Sequence, residues 1–147
     1  MKYIDKIFFY GHLKSDGVIF PMFKNYVLEL EKGYTYGSLY QYRGRPVFIN
    51  KGNGKVYGEI VTLFNTRKVL KMLDNIESYL TRVTTDVYYE KDNKKVRAHI
   101  YIFENYKDEM LIPISSGIWI NNKKGAIANG FWSSDWIRGA CSDTDRF

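Results

Sequence analysis

The sequence holds a single cysteine, Cys141, and only two histidines, His12 and His99. A lone thiol can form no disulfide within the chain, which suits a reducing compartment. One Cys and two His also fall short of the ligand count and spacing of a structural zinc site, so no metal is expected. Long apolar runs are missing as well. Near the N-terminus, Asp5 and Lys6 precede only three apolar residues, Ile7-Phe8-Phe9, too few for a signal-peptide core or a membrane span. The expected location is therefore the cytoplasm, with no membrane partner. Basic blocks are scarce despite a formal net charge of +6 and an isoelectric point of about 9.3. Lys and Arg are interleaved with Asp and Glu, and the two dense stretches, Lys91-Asp92-Asn93-Lys94-Lys95 and Lys123-Lys124, each read as a turn. No nucleic-acid partner is expected. There is no internal repeat and no low-complexity linker.

What is present is an aromatic-rich chain of ordinary domain length. With 147 residues, 45% of them apolar and 17% aromatic, one strand-rich hydrophobic core is expected, in a single domain over residues 1–147. Tyr3 to Tyr10 reads as a buried strand stopped by Gly11. Tyr34 to Tyr42 is again β-like, and Arg43-Gly44-Arg45-Pro46 separates it from Val47-Phe48-Ile49, as in a hairpin. After the turn residues Lys51-Gly52-Asn53-Gly54, the segment Lys55 to Leu63 alternates like a strand. Asn65 or Thr66 can cap a helix, and Val69, Leu70, Leu73, Ile76 and Glu77 recur at helical spacing, which predicts a helix from Thr66 to about Ser78. Arg82 to Glu90 and Val96 to Phe103 form a second hairpin around the turn at Lys91 to Lys95. Beyond Glu104 the pattern weakens, with a short helix expected over Ala126 to Ile137.

Two places carry side chains suited to chemistry. At Tyr10-Gly11-His12-Leu13, Gly permits an unusual turn that can aim successive N–H groups at an anion, although a strand ending in Gly is ordinarily only a turn. At Leu73-Asp74-Asn75-Ile76-Glu77-Ser78-Tyr79, Glu77 shares a helical face with Leu70 and Leu73 rather than with the charged side. A carboxylate pressed against apolar surface is desolvated, which suits work as general base and then general acid, although a frayed, solvated helix end is the ordinary alternative. Ser38 fails as a hydrolase nucleophile, because the spacing is not that of a nucleophile elbow and neither His has an evident carboxylate partner.

Taken together and in this order, the two segments resemble the γ-glutamylcyclotransferase family, including its AIG2-like members. Tyr10-Gly11-His12-Leu13 is similar to the family's Tyr-Gly-Ser/Thr-Leu, and Gly37-Ser38-Leu39-Tyr40 with Pro46-Val47 to its next hairpin. Val56-Tyr57-Gly58-Glu59-Ile60-Val61-Thr62-Leu63 matches the following strand, Leu73 to Tyr79 the Leu-Asp-x-x-Glu-Gly-Tyr element, and Ile114-Ser115-Ser116-Gly117-Ile118-Trp119 the Ser-Gly-Asp-Trp element. The resemblance covers roughly residues 4–119 and leaves 120–147 as a C-terminal extension. Tyr36-Gly37-Ser38-Leu39 mimics the first tetrapeptide more closely, but it runs on into a strand.

The resemblance implies an α+β fold, a small mixed β-barrel with flanking helices. It also implies an acyltransferase reaction in which the α-amine of a γ-glutamyl amine or γ-glutamyl amino acid attacks its own γ-carbonyl, giving 5-oxoproline and a free amine without a cofactor. Catalysis would rest largely on holding the curled substrate. Glu77 would move the protons, Gly11, His12 and Leu13 would offer backbone N–H groups, Tyr10 would form the pocket wall, and Tyr79 and Arg82 would support the site. Two departures stand out: His12 replaces a small hydroxyl residue, and Ser78 replaces the Gly after the catalytic Glu. A His12 ring turned away from Glu77, beside a cavity large enough for a glutamyl group, favours an active enzyme; a ring paired with Glu77 favours a catalytically silent relative that binds small molecules or proteins. A coincidental match on an unrelated β-rich domain is the third alternative. The leaving amine and the oligomeric state are not legible, and Trp119, Phe131, Trp132 and Trp136 either shape a pocket rim or pack on the core.

Overall fold

In the computed structural model, residues 3–104, 106 and 110–121 are described. In chain order the strands are β1 (Lys6–Phe9), β2 (Val27–Tyr36), β3 (Ser38–Tyr42), β4 (Arg45–Ile49), β5 (Lys55–Leu63), β6 (Thr81–Tyr89), β7 (Lys95–Ile102) and β8 (Leu111–Pro113), with helix α1 (Thr66–Ile76) between β5 and β6. Two short 3-10 turns, Phe20–Met22 and Lys24–Tyr26, lead into β2. The expected helix over Ala126 to Ile137, the Lys123-Lys124 turn and the aromatic residues beyond Trp119 lie outside the described residues.

Five strands close into a barrel in the order β1-β5-β2-β6-β7, and a three-stranded sheet, β4-β3-β8, lies beside it. Neighbours in the barrel are antiparallel except β1 and β7, which run parallel and meet at Ile7 opposite His99. Two seams of the barrel are short: β1 meets β7 at that single position, and β2 meets β6 only at Gly33 and Tyr34, opposite Tyr89 and Tyr88. The fold is thus the expected α+β mixed barrel, although the described residues hold one α-helix rather than several.

Strand alternation explains how the core is divided. Phe8, Ile60, Val87, Ala98 and Ile100 point to one side and fill the barrel with Tyr10, Phe48 and Trp119. Ile7, Phe9, Val61, Leu63 and Tyr101 point to the other side and meet Val69, Leu70 and Leu73 of α1. β1 is therefore buried on both faces, which is why it reads as an apolar run rather than as a clean alternation.

The structure differs from the sequence reading at β2. The run Tyr34 to Tyr42 is two strands in two sheets, divided at Gly37, where a Cβ would lie 2.3 Å from the Phe48 ring. The strand before the break also begins earlier, at Val27; its first half alternates Leu28 and Leu30 with Glu29 and Glu31 and is largely exposed, a segment for which no strand was expected. Asn65 stands at the N-cap of α1 but makes no side-chain cap; the Thr66 hydroxyl instead donates to the Leu63 carbonyl at 3.3 Å.

Candidate active site

The end of β1 is fixed by Tyr10. Its buried hydroxyl donates to the Tyr101 carbonyl on β7 at 2.7 Å and accepts the Phe48 N–H of β4 at 3.1 Å, which ties the barrel to the second sheet. Gly11 follows without a left-handed backbone. Its glycine is required for a different reason from the turn expected: a Cβ here would lie 2.5 Å from Pro46 Cγ, so only a bare backbone passes β4.

The loop after Gly11 is braced from three directions. The Lys14 N–H donates to the Gly11 carbonyl at 3.1 Å. The N–H and hydroxyl of Ser15 donate to the two carboxylate oxygens of Glu59, each at 2.6 Å. From the C-terminal side, Lys14 Nζ donates to the Trp119 carbonyl at 2.7 Å, and Asn121 Nδ2 donates to the Gly11 carbonyl at 3.0 Å and to Asp16 at 2.9 Å. The positioning roles of Glu59 and Asn121 were missed from sequence. Glu59 was noticed only as part of a strand pattern, and Asn121 offered no signal.

Glu77 occupies the C-cap of α1, where its N–H donates to the Leu73 carbonyl at 2.8 Å. Its place on the Leu70 and Leu73 face carries it inward, and it is 3% exposed. Ser78 does not have a positive φ, so replacement of Gly there does not turn Glu77 away. The carboxylate reaches the Tyr10 to Leu13 loop and meets His12: Nε2 lies 2.7 Å from Oε1, with the ring itself 5% exposed. This corrects the expectation that neither His has a carboxylate partner. The Ser38 hydroxyl is elsewhere, donating to the Lys51 carbonyl at 2.7 Å.

The cavity bounded by the loop, Pro46, Glu77 and Tyr101 has a volume of about 10 Å³. That is room for about one water molecule. Tyr10 lines the cavity and Tyr79 lies outside it, both in the neutral phenol form. Burial first, and then the Glu77 charge, pushes the Tyr10 and Tyr79 hydroxyls well above their ordinary range.

Tyr79 and Arg82 do not line this cavity. The Tyr79 ring lies under the Arg45 guanidinium at 5.0 Å and edge-on to Phe103. Arg82 faces the far side of α1, where Nε and Nη2 donate to the two oxygens of Asp74 at 2.9 and 3.1 Å. Trp119, 1% exposed, belongs to the core rather than to a rim. No group of three or more potential metal ligands occurs among the described residues.

Whether the ring is neutral and donates from Nε2, or is protonated and forms an ion pair, it occupies one acceptor site on Oε1 and leaves the other carboxylate sites as acceptors. What keeps a bound molecule from Glu77 is space: the cavity admits about one water molecule, so the ring has to move before a glutamyl group can enter.

Residues 7–121 match the family described as gamma-glutamyl cyclotransferase, AIG2-like. No curated protein matches the sequence. Among solved structures, the chain is similar to YkqA from Bacillus subtilis, at 22% identity over 80% of this chain and a TM-score of 0.64; it spans only 40% of that protein. It is similar to an AIG2-like protein from Mus musculus, at 20% identity over 84% of this chain and 99% of that one, with a TM-score of 0.64. A structure named gamma-glutamyl cyclotransferase shares 13% identity over 74% of this chain and 70% of that one, with a TM-score of 0.55. At these identities the likeness is one of fold.

Proposed function

From the premise that this chain belongs to the AIG2-like gamma-glutamyl cyclotransferase family, we propose that it is a catalytically silent member, a small-molecule-binding module whose cyclisation site is closed by its own His12. The observation that carries this reading is the 2.7 Å contact between His12 Nε2 and Glu77 Oε1 beside a cavity of about 10 Å³. In an open site of this design, a base removes a proton from the α-ammonium of a γ-glutamyl group. The freed nitrogen attacks the γ-carbonyl, backbone N–H groups take the developing oxyanion, and the leaving amine receives the proton as 5-oxoproline forms. Here one oxygen of the base is engaged by His12 and the glutamyl group has no room.

A second reading, the active cyclotransferase, is supported by the placement of Glu77 at the braced Tyr10 to Leu13 loop. One ring then separates the closed site from an open one, and His12 acts as a gate that substrate displaces. The experiment that separates the two is 5-oxoproline release from a panel of γ-glutamyl amines and γ-glutamyl amino acids. The wild-type protein is expected to release none. His12→Ser, which restores a small hydroxyl residue, is expected to gain release, and Glu77→Gln in that background to abolish it. Release by the wild type that vanishes in Glu77→Gln would overturn the closed-site reading and establish the enzyme, with the preferred panel member identifying the leaving amine.

A further inference from the structure

On the far side of α1 from the 3-10 turns lies a cleft of about 560 Å³, bounded by α1, by Arg82 and His99 on the outer faces of β6 and β7, and by Tyr3 and Ile4. Its size suits a small molecule, where the Glu77 cavity does not. We propose that this cleft binds a small organic anion, an apolar or aromatic body carrying one phosphate or carboxylate group, with Arg67 and Lys71 holding the charge. The proposal stands whether or not the His12–Glu77 pair opens.

The argument begins with which charges are already satisfied. Arg82 donates to both oxygens of Asp74, and Asp74 also accepts the Tyr101 hydroxyl at 2.8 Å. The third arm of the guanidinium, Nη1, lies 3.2 Å from His99 Nδ1, and His99 Nε2 lies 3.2 Å from the Ile4 carbonyl. A guanidinium only donates and a carbonyl only accepts, so the ring accepts at Nδ1 and donates at Nε2, and is neutral. Burial chiefly, with the Arg82 charge adding to it, holds the His99 pKa below its ordinary value. Arg82 and Asp74 therefore cancel, and His99 adds no charge.

Arg67 and Lys71 remain. They stand one turn apart on α1, exposed, at the edge of the cleft, and neither meets a carboxylate among the described residues. The first turn of α1 holds no acidic residue, and Arg67 places positive charge at the end where the peptide dipoles are already positive, with Lys71 one turn further along. Like charges four residues apart add a further cost. A helix stabilised for its own sake puts acidic residues there. The surplus cationic field is instead directed at a cleft whose other surfaces are Leu70, Ile4 and Tyr3, the last 65% exposed and available to a flat apolar group.

The test is calorimetric titration of the full chain with phenyl phosphate, 3-phenylpropionate and the neutral benzyl alcohol. One or both anions are expected to bind, with the preferred anion showing which headgroup the cleft takes, and benzyl alcohol at least tenfold more weakly. The double variant Arg67→Ala/Lys71→Ala, confined to exposed positions, is expected to lose at least tenfold in affinity. Lys68→Ala removes an equal charge from the same helix at a residue that lies over Tyr26, outside the cleft; it is expected to bind as the wild type does. Failure of both anions to bind, equal binding of benzyl alcohol, or unchanged binding by the double variant would overturn the proposal.

Discussion

His12 and Glu77 take an ionisable ring and a carboxylate out of water together, and the consequences for stability are asymmetric. Removing the ring leaves a buried carboxylate without its partner, a change that costs about 3 to 5 kcal/mol in comparable pairs. Replacing Glu77 with Gln removes the charge and keeps an amide that can still meet Nε2, so Glu77→Gln should cost less than His12→Ala. The double substitution, which leaves no orphaned charge, should cost less than the sum of the two singles. Urea unfolding of the four proteins measures this coupling. Additive effects would mean that the pair does not form in solution and would remove the basis of the closed-site reading.

α1 has two unlike ends, and its flanks meet unlike surroundings. Val69, Leu70 and Leu73 fasten it to the barrel, its C-terminus delivers Glu77, and its polar side delivers Asp74 to Arg82 and Tyr101. The pH response of this attachment follows from two groups. The folded pKa of His99 lies below its ordinary value of 6.5, mainly through burial. As pH falls below 6.5 the unfolded chain takes up a proton that the folded chain refuses, so stability falls until the lower folded pKa is passed. Burial pulls Asp74 upward, but the hydrogen bonds from Arg82 and Tyr101 outweigh it and leave its pKa below 3.8. Its contribution is complete above 3.8 and is lost only as pH drops through the folded value. Melting temperature should therefore decline in two stages on acidification. His99→Gln should flatten the first stage and leave the second, and a profile unchanged by that substitution would refute the assignment.

For the molecule as a whole, the segment that ends the described chain acts as a strap. Trp119 is buried against the barrel core, its carbonyl anchors Lys14, and its indole N–H donates to Asn121 at 3.2 Å, whose amide in turn holds the Gly11 carbonyl. Core packing and loop geometry are thus joined through one residue. Trp119→Ala should cost about 3 to 5 kcal/mol, the range for a large core side chain. Asn121→Ala cuts the loop tether and removes the acceptor of the Trp119 indole N–H while keeping the ring packed; it should cost about 1 to 3 kcal/mol and raise amide exchange at residues 11–16 while leaving exchange in the barrel strands unchanged. Equal protection of that loop in both proteins would show that Glu59 suffices to hold it.

The local sequence pattern is enough to place several elements. β5 was read at its observed limits, the hairpin of β6 and β7 around the Lys91 to Lys95 turn was legible, and α1 was recognised because Val69, Leu70 and Leu73 keep a period that only a helix aligns. Tyr10 to Leu13 and Glu77 were singled out on the same grounds, since strand ends and helix faces are properties of neighbouring residues. Contacts between distant residues were not accessible in this way. His12 and Glu77 are 65 positions apart, and their meeting depends on the angle at which α1 lies across the barrel. Asn121 reaches Gly11 across 110 positions, and Arg82 turned out to serve Asp74 on the opposite flank of the helix. Side-chain identity shows which partners are chemically possible; packing of the helix, barrel and strap selects among them, because a buried polar group takes the partner that the surrounding backbone brings within reach.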